Sequence, residues 1–153
     1  MQRITVLCVG KLKEKFYADA AAEYIKRLGR YCKLEVLELP EDPSPAEIQK
    51  ALSAEADAIR PKLDGAVVAL CIEGQMCSSE ALSKKLAAFA LEGKSRVTFL
   101  IGGSYGLDET LKKQADWRLS MSPMTFPHHL ARVMLLEQIY RACQIAEGTR
   151  YHK

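Results

Sequence analysis

Two segments in the last third of the sequence combine the residue types that line small-molecule pockets. Residues 97–107 read VTFLIGGSYGL, an apolar run that breaks into a glycine-rich turn, and residues 120–132 read SMSPMTFPHHLAR, a polar loop that opens into a helix. Glycine, serine, threonine and proline at strand-to-helix junctions are typical of a pocket at the carboxyl edge of a parallel sheet. The chemistry that these segments predict is the binding of a small molecule at that edge.

The spacing of the glycines excludes two common nucleotide sites. The turn reads GGxxG where a dinucleotide-binding fold needs GxGxxG, and the next predicted strand, residues 117–120, ends without an acidic residue to hold a ribose. The sequence also lacks the Gly-Lys-Ser/Thr of a P-loop. On spacing alone, a tight turn that needs positive φ at glycine is favoured over a ligand role.

The loop at residues 121–127 admits two interpretations of nearly equal weight. Its exposed backbone groups suit the edge of an adenine ring, and its methionines suit an apolar slot. The same residues also suit a rigid connector in which Pro127 starts the next helix. On either interpretation the loop lies where the sheet meets a buried helix.

Histidine and arginine side chains near the C-terminus are the candidates for acid–base chemistry. His128 and Arg132 lie four residues apart on one helix face, but no cysteine or carboxylate completes a metal-binding set there. A buried Arg132 needs an anionic ligand or a salt bridge to Glu137 or another carboxylate. The tail with Tyr151 and His152 is either a lid over a pocket or a disordered stub.

Length and composition describe an ordinary globular chain. Its 153 residues fit one domain with a full core, and 48% of them are hydrophobic. No apolar run approaches the ~20 residues of a membrane span, and the N-terminus is typical of a first strand, not of a signal peptide. Five cysteines without a CxxC motif favour reduced thiols in a cytosolic protein.

The charge balance is mildly basic. A net charge of +3 permits an RNA partner and does not require one. Lysines cluster at residues 11–15 and at 112–113. Such clusters are usually solvated faces, and they gain meaning only if they share a face with the pocket.

The pattern alternates strands and helices from end to end. Residues 65–72 and 95–101 suit central parallel strands buried on both faces. A capping box predicts a helix start with Ser44 as N-cap, Pro45 at the first helical position and Glu47 closing the box. The predicted strands are 3–9, 33–39, 65–72, 95–101 and 117–120, and the predicted helices are 14–30, 45–60, 79–93, 108–115 and 127–146. We therefore predict a single α/β domain, with a mostly parallel sheet of about five strands and helices on both faces.

The last predicted helix is apolar around most of its circumference. Its apolar residues are Leu130, Val133, Met134, Leu135, Leu136, Ile139 and Tyr140. A helix with that pattern is usually buried on more than one side. In a domain of this size, burial of the second side of the helix predicts contact with a second copy of the chain, and so a homodimer.

Five stretches of the sequence, taken together, match the motifs of a known protein family. They read VGKLKEKF near the start, LCIEGQMCSSE at the third strand, FLIGGSYGL, SMSPMTFPHHLARVMLLEQIYRA and the terminal YHK. Together they cover essentially the whole chain in order. The chain closely resembles the ribosomal RNA large subunit methyltransferase H family, within the SPOUT superfamily of knotted methyltransferases.

The resemblance implies features that composition and periodicity do not indicate. It implies a C-terminal trefoil knot, a homodimer built largely on the last helix, and S-adenosylmethionine as the cofactor. The implied activity is methylation of N3 of a pseudouridine in large-subunit ribosomal RNA, on the assembled ribosome and hence in the cytoplasm. The alternative is a non-catalytic ribosome-associated factor that uses the pocket for regulation.

The resemblance also carries cofactor-binding residues over, motif by motif. They are Leu70 after the third strand, Gly102 in the glycine turn, and the loop residues Met121, Ser122, Pro123, Met124, Thr125 and Phe126. Pro123 departs from the family pattern. Because proline has no N–H, any donor role at that position is lost.

The implied reaction needs a base. N3 of a neutral pseudouridine carries a proton that the site must remove, and histidine is the natural base near neutral pH. We predict His152 as that base and Arg132 as the group that holds the developing negative charge, with Tyr151 and His128 in support. No metal ion and no membrane partner is expected.

Overall fold

The computed structural model describes residues 1–42 and 44–153. In these residues the strands are β1 (Gln2–Val9), β2 (Cys32–Leu39), β3 (Ala66–Met76), β4 (Arg96–Ile101) and β5 (Trp117–Ser120). The helices are α1 (Lys15–Leu28), α2 (Ile48–Ile59), α3 (Ser79–Leu91), α4 (Glu109–Gln114) and α5 (His128–Ala146), with a short 3-10 turn at Arg60–Lys62. Each predicted element is present.

The strands of the described chain form one sheet in the order β2-β1-β4-β3-β5, and every neighbouring pair is parallel. The continuous apolar runs of β3 and β4 predict central strands, and both lie inside the sheet. The alternating pattern of β2 predicts an edge strand or one with an exposed face, and β2 lies at one edge. Since all strands run the same way, their carboxyl ends meet at one edge of the domain.

Helices cover both faces of the sheet, as predicted. Side chains alternate across a strand, so Val6 and Cys8 face one apolar cluster while Leu7 and Val9 face another. The first cluster contains residues of α1, α3 and α5, and the second contains residues of α2 and α4. The single α/β domain with a five-stranded parallel sheet is confirmed, and the trefoil knot stays a prediction.

The predicted start of α2 is wrong. The helix begins at Ile48, after Glu47, whose side chain makes no capping hydrogen bond. The backbone N–H of Ser44 donates to the Asp42 carboxylate at 3.0 Å, so it is not available to the Glu47 side chain that a capping box requires. The predicted loop residue Pro43 lies outside the described residues. By contrast, the sequence offers Ser78 or Ser79 as the cap of α3, and the cap is Ser78, whose side chain accepts from the Ala81 N–H.

β3 is longer than predicted and continues to Met76. Its pairing with β5 shifts register between Leu70 and Gln75, so a short bulge interrupts the strand where the apolar run ends. A Cβ on Gly74 would lie 2.8 Å from the Arg118 backbone, so glycine lets the two strands approach there. The bulge places residues 71–73 at the carboxyl edge of the sheet.

The long helix α5 packs on α1 and α3. Leu135, Leu136 and Ile139 are fully buried, while Val133 and Tyr140 are only partly buried against the same core. Within the described residues, no helix is long and apolar enough to span a bilayer.

Candidate functional site

A cleft of about 790 Å³ opens at the carboxyl ends of β3, β4 and β5. The bulge of β3, the glycine turn after β4 and the loop after β5 form its walls. Its lining residues are 70–73, 101–107, 119, 121–122, 124–128 and 131. The two segments singled out by sequence therefore lie on one cavity, and Leu70 joins them.

The glycine turn is as tight as its spacing predicts. The N–H of Gly106 donates to the Gly103 carbonyl at 3.1 Å, and Gly106 has a φ of +82°. A Cβ on Gly102 would lie 2.4 Å from the backbone carbonyl of Gly106, so only glycine fits there. The tight-turn and ligand interpretations do not conflict, because the turn itself is a wall of the cleft.

The loop after β5 is held by its own hydroxyls. The Ser120 hydroxyl donates to the Ser122 carbonyl at 3.1 Å, and the Ser122 hydroxyl accepts from the Met124 N–H at 3.0 Å. The predicted loop residues that line the cleft are Met121, Ser122, Met124, Thr125 and Phe126. Pro123 is outside the lining of this cavity, which agrees with the absence of a donor at that position.

Glu41 is a residue that the sequence analysis missed. Its carboxylate accepts from the N–H and the hydroxyl of Ser104 at 2.9 and 2.8 Å, and a Cβ on Gly103 would lie 2.7 Å from it. The Glu41 side chain is only 14% exposed. These two hydrogen bonds hold Ser104, and with it the glycine turn, against the end of β2. The available signal was an acidic residue just past β2, at the edge where the strands end.

His128 lines the cleft, and one of its ring nitrogens has no hydrogen-bond partner among the described residues. Its Nε2 is buried, lies 3.5 Å from a Glu41 oxygen, and makes no hydrogen bond within residues 1–42 and 44–153. Burial lowers the pKa of His128 below 6.5, helped by the charges of His129 and Arg132, while Glu41 opposes the shift. Burial therefore favours the neutral imidazole of His128 over the charged form.

Arg132 does not line the cleft. Its guanidinium is 3% exposed, lies 2.5 Å from the Glu38 carboxylate and donates to the Gly10 carbonyl at 2.8 Å. The sequence left open an anionic ligand or a salt bridge to Glu137 or another carboxylate. The partner is Glu38, since Glu137 pairs with Arg141 at 2.8 Å.

Removal of Glu38 should cost stability, because it leaves the buried Arg132 cation without its counter-ion. Glu38→Ala should lower the free energy of unfolding by about 2 kcal/mol, less than for a fully buried pair because Glu38 is one-third exposed. Urea denaturation measures the change. Glu35→Ala, at an exposed position of the same strand, is the control. Equal stability of the two variants would contradict this account of Arg132.

The C-terminal tail is docked, which contradicts the disordered-stub interpretation. Arg141 donates to Nδ1 of His152 at 3.1 Å, and Nε2 of His152 lies 2.7 Å from Glu80, which sets a neutral tautomer with the proton on Nε2. The Tyr151 ring packs edge-on against Tyr140 with centroids 4.9 Å apart. The hydrogen bond from His152 also lowers the pKa of Glu80.

The docked tail lies far from the cleft of its own chain. It contacts α5 near Arg141, whereas His128 lines the cleft at the start of the same helix. Thirteen residues of α-helix span about 20 Å. The structure therefore brings together His128 and most of the predicted cofactor residues, and it separates them from Tyr151, His152 and the Arg132 guanidinium.

Comparison with known proteins agrees with this architecture. Two solved structures share the fold: a "probable methylase family protein" of Haemophilus influenzae (TM-score 0.54, 15% identity, 99% of this chain and 70% of that one) and a "probable methyltransferase" of Bordetella pertussis (0.59, 14%, 93% and 95%). Both share the fold at low identity. The fold is thus one that methyltransferase-like proteins adopt.

Sequence relatives narrow the class to a family. The family model described as "Predicted SPOUT methyltransferase" matches residues 2–152. Proteins named ribosomal RNA large subunit methyltransferase H from Bifidobacterium adolescentis and Acetivibrio thermocellus are 48% and 47% identical, each over 99% of both chains. The chain belongs to the SPOUT methyltransferase family. This confirms the predicted family and enzyme class, and with them S-adenosylmethionine as the cofactor.

The cleft fits that cofactor. It is lined mainly by apolar groups, including Leu70, Leu119 and the thioether of Met121, and Gly102 lets the turn that forms one wall fold tightly against itself. The exposed backbone of the turn offers donors and acceptors for the nucleoside and amino-acid parts of the molecule. In the described part of the chain, no group of three or more His, Cys, Asp or Glu side chains could hold a metal ion.

Proposed function

We propose that the protein methylates N3 of a pseudouridine in large-subunit ribosomal RNA, acting as a homodimer on the assembled ribosome in the cytoplasm. The observation that supports the proposal is the near-full-length identity of 47–48% to proteins named ribosomal RNA large subunit methyltransferase H, a name that gives the RNA but not the nucleotide. The cleft supports it, because His128, whose neutral form burial favours, lies beside the cofactor walls with an unbonded nitrogen.

The cofactor-binding role belongs to Leu70, Gly102 and residues 121–126. When bound, S-adenosylmethionine supplies a methyl group on a good leaving group. The turn and the loop would hold the cofactor, and for displacement the RNA nitrogen would have to lie roughly 3–3.5 Å from the methyl carbon, on its far side. Pro123 serves as a rigid corner of the loop and donates no hydrogen bond.

The catalytic role that we assign to His152 is removal of the N3 proton. In the docked tail Nδ1 of His152 contacts Arg141 at 3.1 Å, so this nitrogen takes the N3 proton only after the tail leaves Arg141. His128 is the second candidate base, and Tyr151 orients the tail through its ring contact with Tyr140. Arg132 acts as a positioning residue in this scheme, because Glu38 and Gly10 already occupy its guanidinium.

The tail acts on the partner's cleft, not on its own. The separation of about 20 Å along α5 supports this, and so does the partly buried apolar face of α5 at Val133 and Tyr140. A dimer built on α5 gives the tail of one protomer access to the cleft of the other. Each site then contains residues of both protomers.

The proposed dimer can be tested by measuring the mass of the protein in solution. Sedimentation equilibrium at micromolar concentration should give about twice the chain mass of 17.0 kDa. Charged substitutions at Val133 and Tyr140 should shift the equilibrium toward monomer, because a charge on an apolar interface loses its hydration. A wild-type monomer that is active at micromolar concentration would contradict the proposal.

The activity is tested on ribosomal RNA itself. Mass spectrometry of large-subunit RNA from a deletion strain should show loss of one methylated pseudouridine, restored by the wild-type gene. Purified protein should methylate ribosomes far better than a naked stem-loop, since a chain of 153 residues with a charge of +3 has little RNA-binding surface of its own. An unchanged methylation state would favour the alternative, a non-catalytic ribosome-associated factor.

A further inference from the structure

The loop between β1 and α1, residues 10–14, is fixed from three sides. The N–H of Gly10 donates to the Leu39 carbonyl at 2.7 Å, and the Gly10 carbonyl accepts from Arg132 at 2.8 Å. The N–H of Leu12 donates to Glu38 at 3.3 Å. The buried Arg132–Glu38 pair thus holds the loop on both sides of Lys11. A loop tied in this way keeps its side chains in place before any partner arrives.

The same loop lies beside the cleft. A Cβ on Gly10 would lie 3.6 Å from Nε2 of His128 and 3.7 Å from Nε2 of His129. His128 is a lining residue of the cleft. The loop follows β1 at the carboxyl edge of the sheet, and Gly10 lies next to a residue of the cleft lining. The sequence could not place the lysine cluster on this face, and the structure does.

The side chains of the loop divide into an inward and an outward set. Leu12 packs against the core, while its neighbours Lys11 and Lys13 are exposed. Among the described residues, no carboxylate lies within 4 Å of either ammonium group, whereas Lys15 pairs with Asp19 at 2.7 Å. Two unpaired ammonium groups on a fixed loop suit a run of phosphates, because lysine binds phosphate as a point charge without reading sequence.

We propose that Lys11 and Lys13 bind backbone phosphates of the RNA beside the nucleotide that enters the cleft. This rests on the proposed function, since it assumes an RNA substrate. The Arg132–Glu38 pair serves as the anchor that presents the two lysines. The predicted catalytic residue Arg132 thereby contributes to RNA binding without touching the RNA.

The test is the double variant Lys11→Gln/Lys13→Gln, assayed on ribosomes at several salt concentrations. We expect KM to rise about tenfold or more near physiological salt, with kcat at saturation and S-adenosylmethionine affinity unchanged. The slope of log affinity against log salt should become shallower by about 1.4 to 1.8, the contribution of two phosphate contacts. Circular dichroism and thermal unfolding should match the wild type, since both side chains are exposed.

The matched control is Lys33→Gln/Lys62→Gln, which removes the same charge. Lys33 is the second residue of β2, and Lys62 lies just before β3. Both exposed side chains therefore lie toward the amino ends of the strands, opposite the cleft. Equal effects of the two double variants would overturn the proposal in favour of overall charge. An unchanged salt slope for Lys11→Gln/Lys13→Gln would also overturn it. Failure of the wild-type protein to methylate ribosomes would instead refute the proposed function.

Discussion

His152→Ala should lower turnover on ribosomes by about 10²–10⁴-fold, the range expected for loss of a general base. Affinity for S-adenosylmethionine should stay unchanged, because His152 docks on Arg141 and Glu80, away from the cleft of its own chain. Single-turnover methyl transfer measures the first quantity and calorimetry the second. Lys153→Ala, an exposed neighbour in the same tail, is the control and should keep wild-type turnover.

Mixed dimers decide whether the tail acts on the partner. A dimer of one His152→Ala protomer and one Gly102→Ala protomer has one site with an intact cleft and an intact partner tail. If the tail acts across the dimer, that site restores about half of wild-type turnover, because one of two sites is complete. If the tail acts on its own chain, both sites are defective and turnover stays low. Full turnover after deletion of residues 151–153 would instead direct the search for the base to His128.

Gly102→Ala should abolish measurable cofactor binding, or weaken it at least about tenfold, which is about 1.4 kcal/mol. The added Cβ would lie 2.4 Å from the Gly106 carbonyl, so the turn must open and its wall of the cleft must move. The same strain should lower the free energy of unfolding by about 1–3 kcal/mol. Calorimetry with S-adenosylmethionine measures the affinity, and wild-type protein titrated with NADH should show no binding.

Gly93→Ala is the control for Gly102→Ala. It separates the loss of stability caused by backbone strain from the loss of cofactor affinity caused by a displaced cleft wall. Gly93 has a positive φ of +81°, unlike Gly102, and nothing lies within 4 Å of the position of an added Cβ. It follows α3, away from the cleft lining. We expect a loss of stability of about 1 kcal/mol with unchanged cofactor affinity. Normal cofactor binding by Gly102→Ala would show that the turn is only structural.

The order of elements was predictable because each depends on local sequence. The apolar runs of β3 and β4 can be buried only inside a sheet, and Ser78 caps α3 through an N–H three residues away. The prediction of the start of α2 was wrong for a local reason as well, because the Asp42 side chain competes with Glu47 for the Ser44 N–H. The bulge of β3 depends on pairing with β5, which a strand does not encode by itself.

The site was predictable where it depends on strand ends and unpredictable where it depends on distant partners. Parallel strands bring Leu70, the glycine turn and the loop after β5 to one edge, so their proximity follows from the fold class. Glu41 contacts Ser104, 63 residues away, and Glu38 contacts Arg132, 94 residues away. The position of Glu41 just past β2 indicates the edge where it lies, but neither pairing can be assigned from the sequence, since many groups compete for each partner.

The Arg132–Glu38 pair also has a consequence for synthesis of the protein. Glu38 is translated 94 residues before its partner, and the loop after β5 that walls the cleft is translated only just before α5. A nascent chain that has not yet released α5 from the exit tunnel therefore has an unanchored first loop and an unfinished pocket. The cofactor cleft of this methyltransferase is thus completed only after α5 has left the tunnel and folded.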